Sequence, residues 1–417
     1  MAAGTEPSSD RTTFHGWRIV GAFAVTQTVG YGTLYYAFAV LLHPMATDLH
    51  TSVTVVTGAF TAAILAWAAA AIPVGRWLDR HGGRGLMTTG ALAGALLLLA
   101  WSRVQTAGQL YLVFAGLGVA MAMALYEAAT AVVVSWFDPA RRARAVLAMI
   151  VVAGLASTIF LPLTGLLNDR YGWRITLVAL AVIYGLVAVP LHALIVRRAP
   201  TPGTARSTGR SGVRVGHAVR DGRFWCLAVA FVAHSGAMSV MSVHLVGYLI
   251  SRGHPATFAA TATGLLGALS VSGRLLLTGA GRRIPLHLAV GVIFAVQSVA
   301  AVALHAVGQT RPGAIAAVVC LGIGFGVASL ATPQLLAGRY GTTAYATIAG
   351  TLATPVTLAR AAAPLGAAYL YTATSGYTAV LTAVAAATTI AAGSILTRAR
   401  TPPPPSIDPQ PVRESAG

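Results

Sequence analysis

The chain has 417 residues, 56% of them hydrophobic and only 9% charged, with a mean hydropathy of +0.74 and a formal net charge of +18. An ordinary globular chain carries roughly 25% charged residues, so a water-soluble body is excluded. Lipid cannot satisfy free backbone groups, and the apolar runs are too long for the alternating strands of a barrel, which leaves a bundle of membrane-spanning helices.

Residues 1–16 read as an N-terminal tail that lacks the small-residue cleavage site of a removable signal peptide. After it, apolar runs long enough to cross the hydrocarbon core recur about twelve times. The first six are expected near 17–42, 53–74, 85–102, 109–136, 145–167 and 175–196. A linker rich in Arg, Gly, Ser, Thr and Pro fills 197–222. The second six are expected near 223–250, 256–278, 286–306, 312–336, 345–369 and 377–396, followed by a proline-rich tail at 397–417 that reads as disordered. The fold expected is therefore all-α: an integral membrane protein with two pseudo-symmetric six-helix halves, 17–196 and 223–396. Weak self-similarity supports a duplication, since LPLTGLLNDRYGWRITLVAL from Leu161 aligns with APLGAAYLYTATSGYTAVL from Ala363, setting Pro162 on Pro364 and Gly172 on Gly376.

The net charge invites a nucleic-acid reading, which the distribution removes. All 28 basic residues are Arg. With Arg18 and Arg223, which open spans one and seven, counted with the adjoining tail and linker, 21 lie in the tails, the linker and the loops after even-numbered spans, 5 in the other loops and 2 deeper inside spans. That asymmetry is the positive-inside pattern, and it places both termini and the linker in the cytoplasm with no nucleic-acid partner. Cys226 and Cys320 both sit in apolar runs, which excludes a disulfide framework and speaks against a metal site.

Charged residues inside spans are costly in a bilayer and are functional candidates by default. Three occur: Glu127, Arg274 and Arg360. Each has a plain alternative. Arg274 stands near the end of its span and could snorkel to the headgroups, Arg360 could pin neighbouring helices through their carbonyls, and Glu127 could be the structural partner of an arginine.

The loop after the second span reads GRWLDRHGGR. It resembles the conserved loop of the major facilitator superfamily, matched by Gly75, Asp79, Arg80, Gly82 and Arg84. In that family the acidic residue bonds across the two halves in the outward-open state and the glycines permit close packing. An ordinary charged turn that orients the helices is the alternative. The second half departs from the pattern: LLLTGAGRRI follows Gly273 and Arg274 without an acidic residue, so any such latch is one-sided. Within the superfamily, the first span, GWRIVGAFAVTQTVGYGTLYYAFAVLLHPM, and the stretch GLASTIFLPLTGLLNDRYGWR resemble the monocarboxylate and oxalate/formate branch, as does an arginine at the place of Arg274 in span eight. The glycine- and proline-rich run of drug-exporting antiporters is not found in span five.

The resemblance implies that spans one, four, seven and ten line a central cavity. On span one, Gln27, Tyr31 and Tyr35 then recur every fourth residue on one face, span four offers Tyr126 and Glu127, and span seven carries His234, Met238 and Met241 on a stripe that is equally open to a packing role. Gln334 belongs near the cytoplasmic end of span ten, and Gly322, Gly324 and Gly326 read as close helix packing.

The function expected is secondary active transport of a small organic anion, a monocarboxylate by preference, by alternating access with proton coupling or exchange. A proton-coupled drug or metabolite exporter of the same superfamily is the alternative, and a non-transporting membrane receptor the third reading. No GxxxxGK[ST] loop speaks for nucleotide-driven transport, and no nucleophile, base and orienter constellation speaks for an enzyme. No cofactor or metal is expected, the energy coming from a proton or ion gradient. The expected setting is the plasma membrane, as a multi-pass monomer.

Overall fold

The structure is a computed structural model that describes residues 15–198, 213–280, 283–397 and 401. The N-terminal tail up to residue 14, most of the linker and most of the C-terminal tail lie outside these residues.

Every element among the described residues is a helix. Eight helical stretches are each long and apolar enough to cross a bilayer. The longest of them, Pro139–Ile195, covers two crossings, because Gly172 (φ 76°, ψ 165°) divides it in a backbone region open to glycine alone. Together with 16–48, Ala256–Ala280 and Tyr345–Thr374 they make the twelve spans expected. The spans overrun their expected limits at several ends: the first continues to Asp48, the fifth begins at Pro139 and the eleventh reaches Thr374. The described end of the linker carries a short helix, Val215–Arg220.

Local chemistry starts these helices where they start. Ser52, Thr106, Asp138, Asp221 and Thr310 each stand at an N-cap and accept a backbone N–H of the first turn. Among the described residues four spans are interrupted. The first passes through a π turn, Tyr31–Tyr36; the fourth breaks at Leu125 (φ −94°, ψ −160°); the fifth breaks at Gly154 and Leu155; the tenth breaks at Gly326. Such breaks free backbone groups inside the bundle and are common at functional sites.

The packing repeats between the halves. Span two lies on four, three on six and one on five; correspondingly span eight lies on ten, nine on twelve and seven on eleven. Leucines and valines such as Leu112, Leu186, Val299 and Leu365 point outward, as a lipid solvent allows.

Arginines gather at one end of the bundle, among them Arg76, Arg80, Arg84, Arg141, Arg197, Arg198 and Arg339; this is called the basic end below. One apolar core runs through the first half and crosses into the second at this end through Tyr345, Ile348, Leu352, Leu330 and Phe294. At the opposite end the second half has a separate core around Met241, Leu245, Leu304 and Val318. The halves are thus joined at the basic end.

Candidate functional site

The break in span four positions Glu127. Because the helix restarts at Tyr126, Glu127 lies in a first turn, where unpaired N–H groups and the helix dipole favour a carboxylate. Its own backbone N–H and the Trp67 side chain from span two lie beside it. Its Oε2 is buried without a hydrogen-bond partner among the described residues. Gln27 meets the same break from span one: its Nε2 donates to the carbonyl of Ala124 at 2.9 Å, and the residue is fully buried. Gln27 therefore holds spans one and four together.

Aromatic rings surround the carboxylate. Tyr31 lies 4.5 Å from Tyr126, 6.0 Å from Tyr35 and 6.4 Å from both Tyr36 and Trp67, centroid to centroid. Tyr35 in turn lies 5.2 Å from Phe60. A period of four predicts Tyr31 and Tyr35 on one face; the π turn, which closes i to i+5, brings Tyr36 to it as well. Tyr36, Trp67 and Phe60 carry little signal of their own in the sequence, beyond the pairing of Tyr35 with Tyr36 in span one.

The second half contributes two guanidinium groups. Arg360, on span eleven, is exposed, and its charge acts on Glu127, Tyr31, Tyr35 and Tyr36 across the space between the halves. Arg274, on span eight, is half-buried and donates through Nε to the Gly326 carbonyl at the break of span ten, 3.2 Å away. Its charge acts on Tyr126 and Tyr36. The structure thus gathers Tyr31, Tyr35, Tyr126, Glu127, Arg274 and Arg360 around one volume.

His234 stands behind that group, where the Arg360 charge still reaches it. It is 1% exposed and its ring stacks on Phe294 of span nine with centroids 4.1 Å apart, inside the second half. Met238 and Met241 are likewise buried in that half's core. Gln334 donates to Leu330 within its own helix. A Cβ on Gly322 would stand 2.8 Å from Leu269 and one on Gly326 2.7 Å from Arg274 Nε, so spans eight and ten meet closely here.

On the basic-end side of Glu127 the halves are bolted together. Asp79 accepts the backbone N–H of Ala346 at 2.9 Å and of Thr347 at 2.8 Å, and the Thr347 hydroxyl at 2.6 Å. It caps the first turn of span eleven from the other half. One turn back, Gly75 lies against the Ala346 carbonyl and Gly350 against that of Ala71, so closely that a Cβ at either position would fall on backbone. Thr354 then donates to the Ala68 carbonyl at 3.0 Å. Of the remaining loop residues, Gly82 (φ 79°) reverses the chain into span three, while Arg80 and Arg84 are exposed. Arg142 is buried behind this junction, donating to the Phe137 carbonyl at 3.3 Å with its charge acting on Tyr345.

The sequence profile of the Major Facilitator Superfamily matches residues 24–364. The chain belongs to this superfamily. It is a secondary membrane transporter and not an enzyme, and the two bundles with a polar volume between them are the architecture in which superfamily members alternate access. Solved structures agree in fold. The superfamily transporter FucP in an outward conformation superposes with a TM-score of 0.73 at 13% identity, covering 93% of this chain and 100% of that one. The E. coli fucose:proton symporter FucP gives 0.67 at 13% identity, covering 93% and 97%. The human organic anion transporter MFSD10 (TETRAN) gives 0.67 at 16% identity, covering 94% and 98%. No curated protein sequence matches the chain.

Proposed function

We propose that this superfamily member moves a small organic anion, a monocarboxylate by preference, through a cavity whose charge carriers are Glu127, Arg274 and Arg360. The observation that carries this reading is the charge balance. Among the described residues Arg274 and Arg360 form no ion pair with a carboxylate and face the one carboxylate of Glu127, so the volume they describe is net positive even when Glu127 is ionised. Such a site attracts an anion and repels a cation, which weighs against the exporter of amphipathic cations that the aromatic wall would otherwise favour.

The arginines supply planar forks that match a carboxylate, and Glu127, with one oxygen unpartnered at membrane depth, is the group suited to take up a proton. Protonation removes the negative charge nearest the anion, so proton and anion bind better together than apart. The branch resemblance of the first and fifth spans supports the monocarboxylate preference. In this reading the basic end faces the cytoplasm of a cell whose plasma membrane the monomer spans, with both termini inside. The bolted junction at that end then makes the structure outward-facing. A panel of labelled monocarboxylates, dicarboxylates, sugars and lipophilic cations, offered to proteoliposomes with and without an imposed pH gradient, tests the reading: uptake of carboxylates supports it, and transport of cations or sugars alone rejects it.

A further inference from the structure

Away from the cavity, the turn between spans two and three and the end of span six enclose a cleft of about 480 Å³. His81, Gly82, Arg84, Leu194, Arg197 and Arg198 line it, with no acidic side chain. The ion pairs found among the described residues join Arg141 to Asp138, Arg174 to Asp48 and Arg339 to Asp221, and none of them uses the cleft's three guanidiniums. The backbone beneath is held in place. Trp136 donates through Nε1 to the Arg197 carbonyl at 2.9 Å, His15 through Nε2 to the Ile195 carbonyl at 2.9 Å, and the Arg198 stem packs against Gly82.

The rim has the opposite character. Leu194 is 69% exposed, and Trp77, 50% exposed, lies with its ring 4.5 Å from that of His81. A tryptophan beside a basic cluster at the end of spans marks the depth at which headgroups meet acyl chains. Free inorganic phosphate would use the arginines and leave the apolar rim without a role. A phospholipid uses both, its phosphate in the guanidinium forks and its chains along Leu194 and Trp77.

We propose that this cleft holds the phosphate-bearing headgroup of an anionic phospholipid, drawn from the leaflet at the basic end. The full-length protein, delipidated in detergent, is titrated with phosphatidylglycerol, phosphatidylcholine and inorganic phosphate while adducts are counted by native mass spectrometry. Phosphatidylglycerol should bind and should resist millimolar phosphate. The R84Q/R197Q/R198Q variant should lose roughly tenfold or more of that affinity, R197Q alone severalfold, and R141Q/R144Q, with two charges removed elsewhere at the same end, should bind like the parent. If the triple variant does not remain monodisperse, R197Q against R141Q/R144Q decides the matter. Equal binding of phosphatidylcholine, full displacement by phosphate, or an R197Q affinity no lower than that of R141Q/R144Q would overturn the assignment.

Discussion

Asp79 and Thr347 stand 268 residues apart in sequence, yet the carboxylate takes both the backbone N–H and the hydroxyl of that threonine, at 2.8 and 2.6 Å. The bond joins the two halves at the basic end. A hydrogen bond to a charged group contributes about 1.5–3 kcal/mol, enough to bias an equilibrium between two end states by about tenfold or more. With spin labels on Thr51, in the loop after span one, and Ser251, the last residue of span seven, at the opposite end of the two halves, Asp79→Asn should shift the distance distribution toward shorter separations. An unchanged distribution from a folded variant would leave only the charged-turn reading.

Gly75 offers the same test through sterics. A methyl group there would meet the Ala346 backbone, which cannot move aside as a flexible side chain would. Overpacking of this kind costs roughly 1–3 kcal/mol, and the cost falls only on the state in which the basic end is closed. Gly75→Ala should therefore move the same spin-label distances in the same direction as Asp79→Asn. Opposite signs for the two variants would show that the junction is not the element that switches.

How much of this was open to reading from the sequence differs by scale. The span count was legible because lipid imposes length and hydropathy on every crossing, and the loop from Gly75 to Arg84 because its residues resemble the conserved loop of the superfamily. The cavity was half legible. Glu127, Arg274 and Arg360 stand out as charges in apolar runs, whereas Tyr36 and Trp67 look like ordinary wall residues until a π turn and a packed second span bring them round. Helical periodicity left His234 open between packing and cavity, because a stripe on span seven faces span nine as readily as it faces the cavity. Periodicity says which residues share a face and is silent on what that face meets.

The Asp221 cluster gives a pH dependence outside the cavity. Burial pushes the Asp221 carboxyl up, but hydrogen bonds from Arg339 Nε, the Arg223 backbone and the Tyr340 hydroxyl outweigh it and hold the group below the ordinary value of 3.8. A carboxylate depressed by folding contributes stability that is present above its unfolded pKa and lost as pH falls through the folded one. Thermal stability in detergent should thus be flat from pH 7 down to about 5 as far as this group is concerned, and Asp221→Asn should lower it by about 1–3 kcal/mol at pH 7. The difference between parent and variant should shrink below about pH 4; a difference that grows in acid would contradict the assignment.

The two arginines should separate on substitution. Arg274→Lys keeps the charge but loses the fork and its bond to Gly326, and should raise the Kd for an anion by about tenfold. Arg360→Gln removes the charge that acts on Glu127 and the tyrosines, and should weaken anion binding at every pH. Isothermal titration with the best substrate of the panel reads both, and unaltered affinity in both variants would move the anion site elsewhere.

Glu127 carries the central claim, that one carboxylate at the break of span four couples a proton to an anion held by arginines of the other half. Glu127→Gln keeps the shape and fixes the neutral state. Uptake of the preferred anion into proteoliposomes is measured twice, once against its gradient under an imposed pH difference and once as exchange between equal pools. The variant should retain exchange and lose accumulation; accumulation at the parent level would show that the coupling group lies elsewhere and that Glu127 is a structural residue.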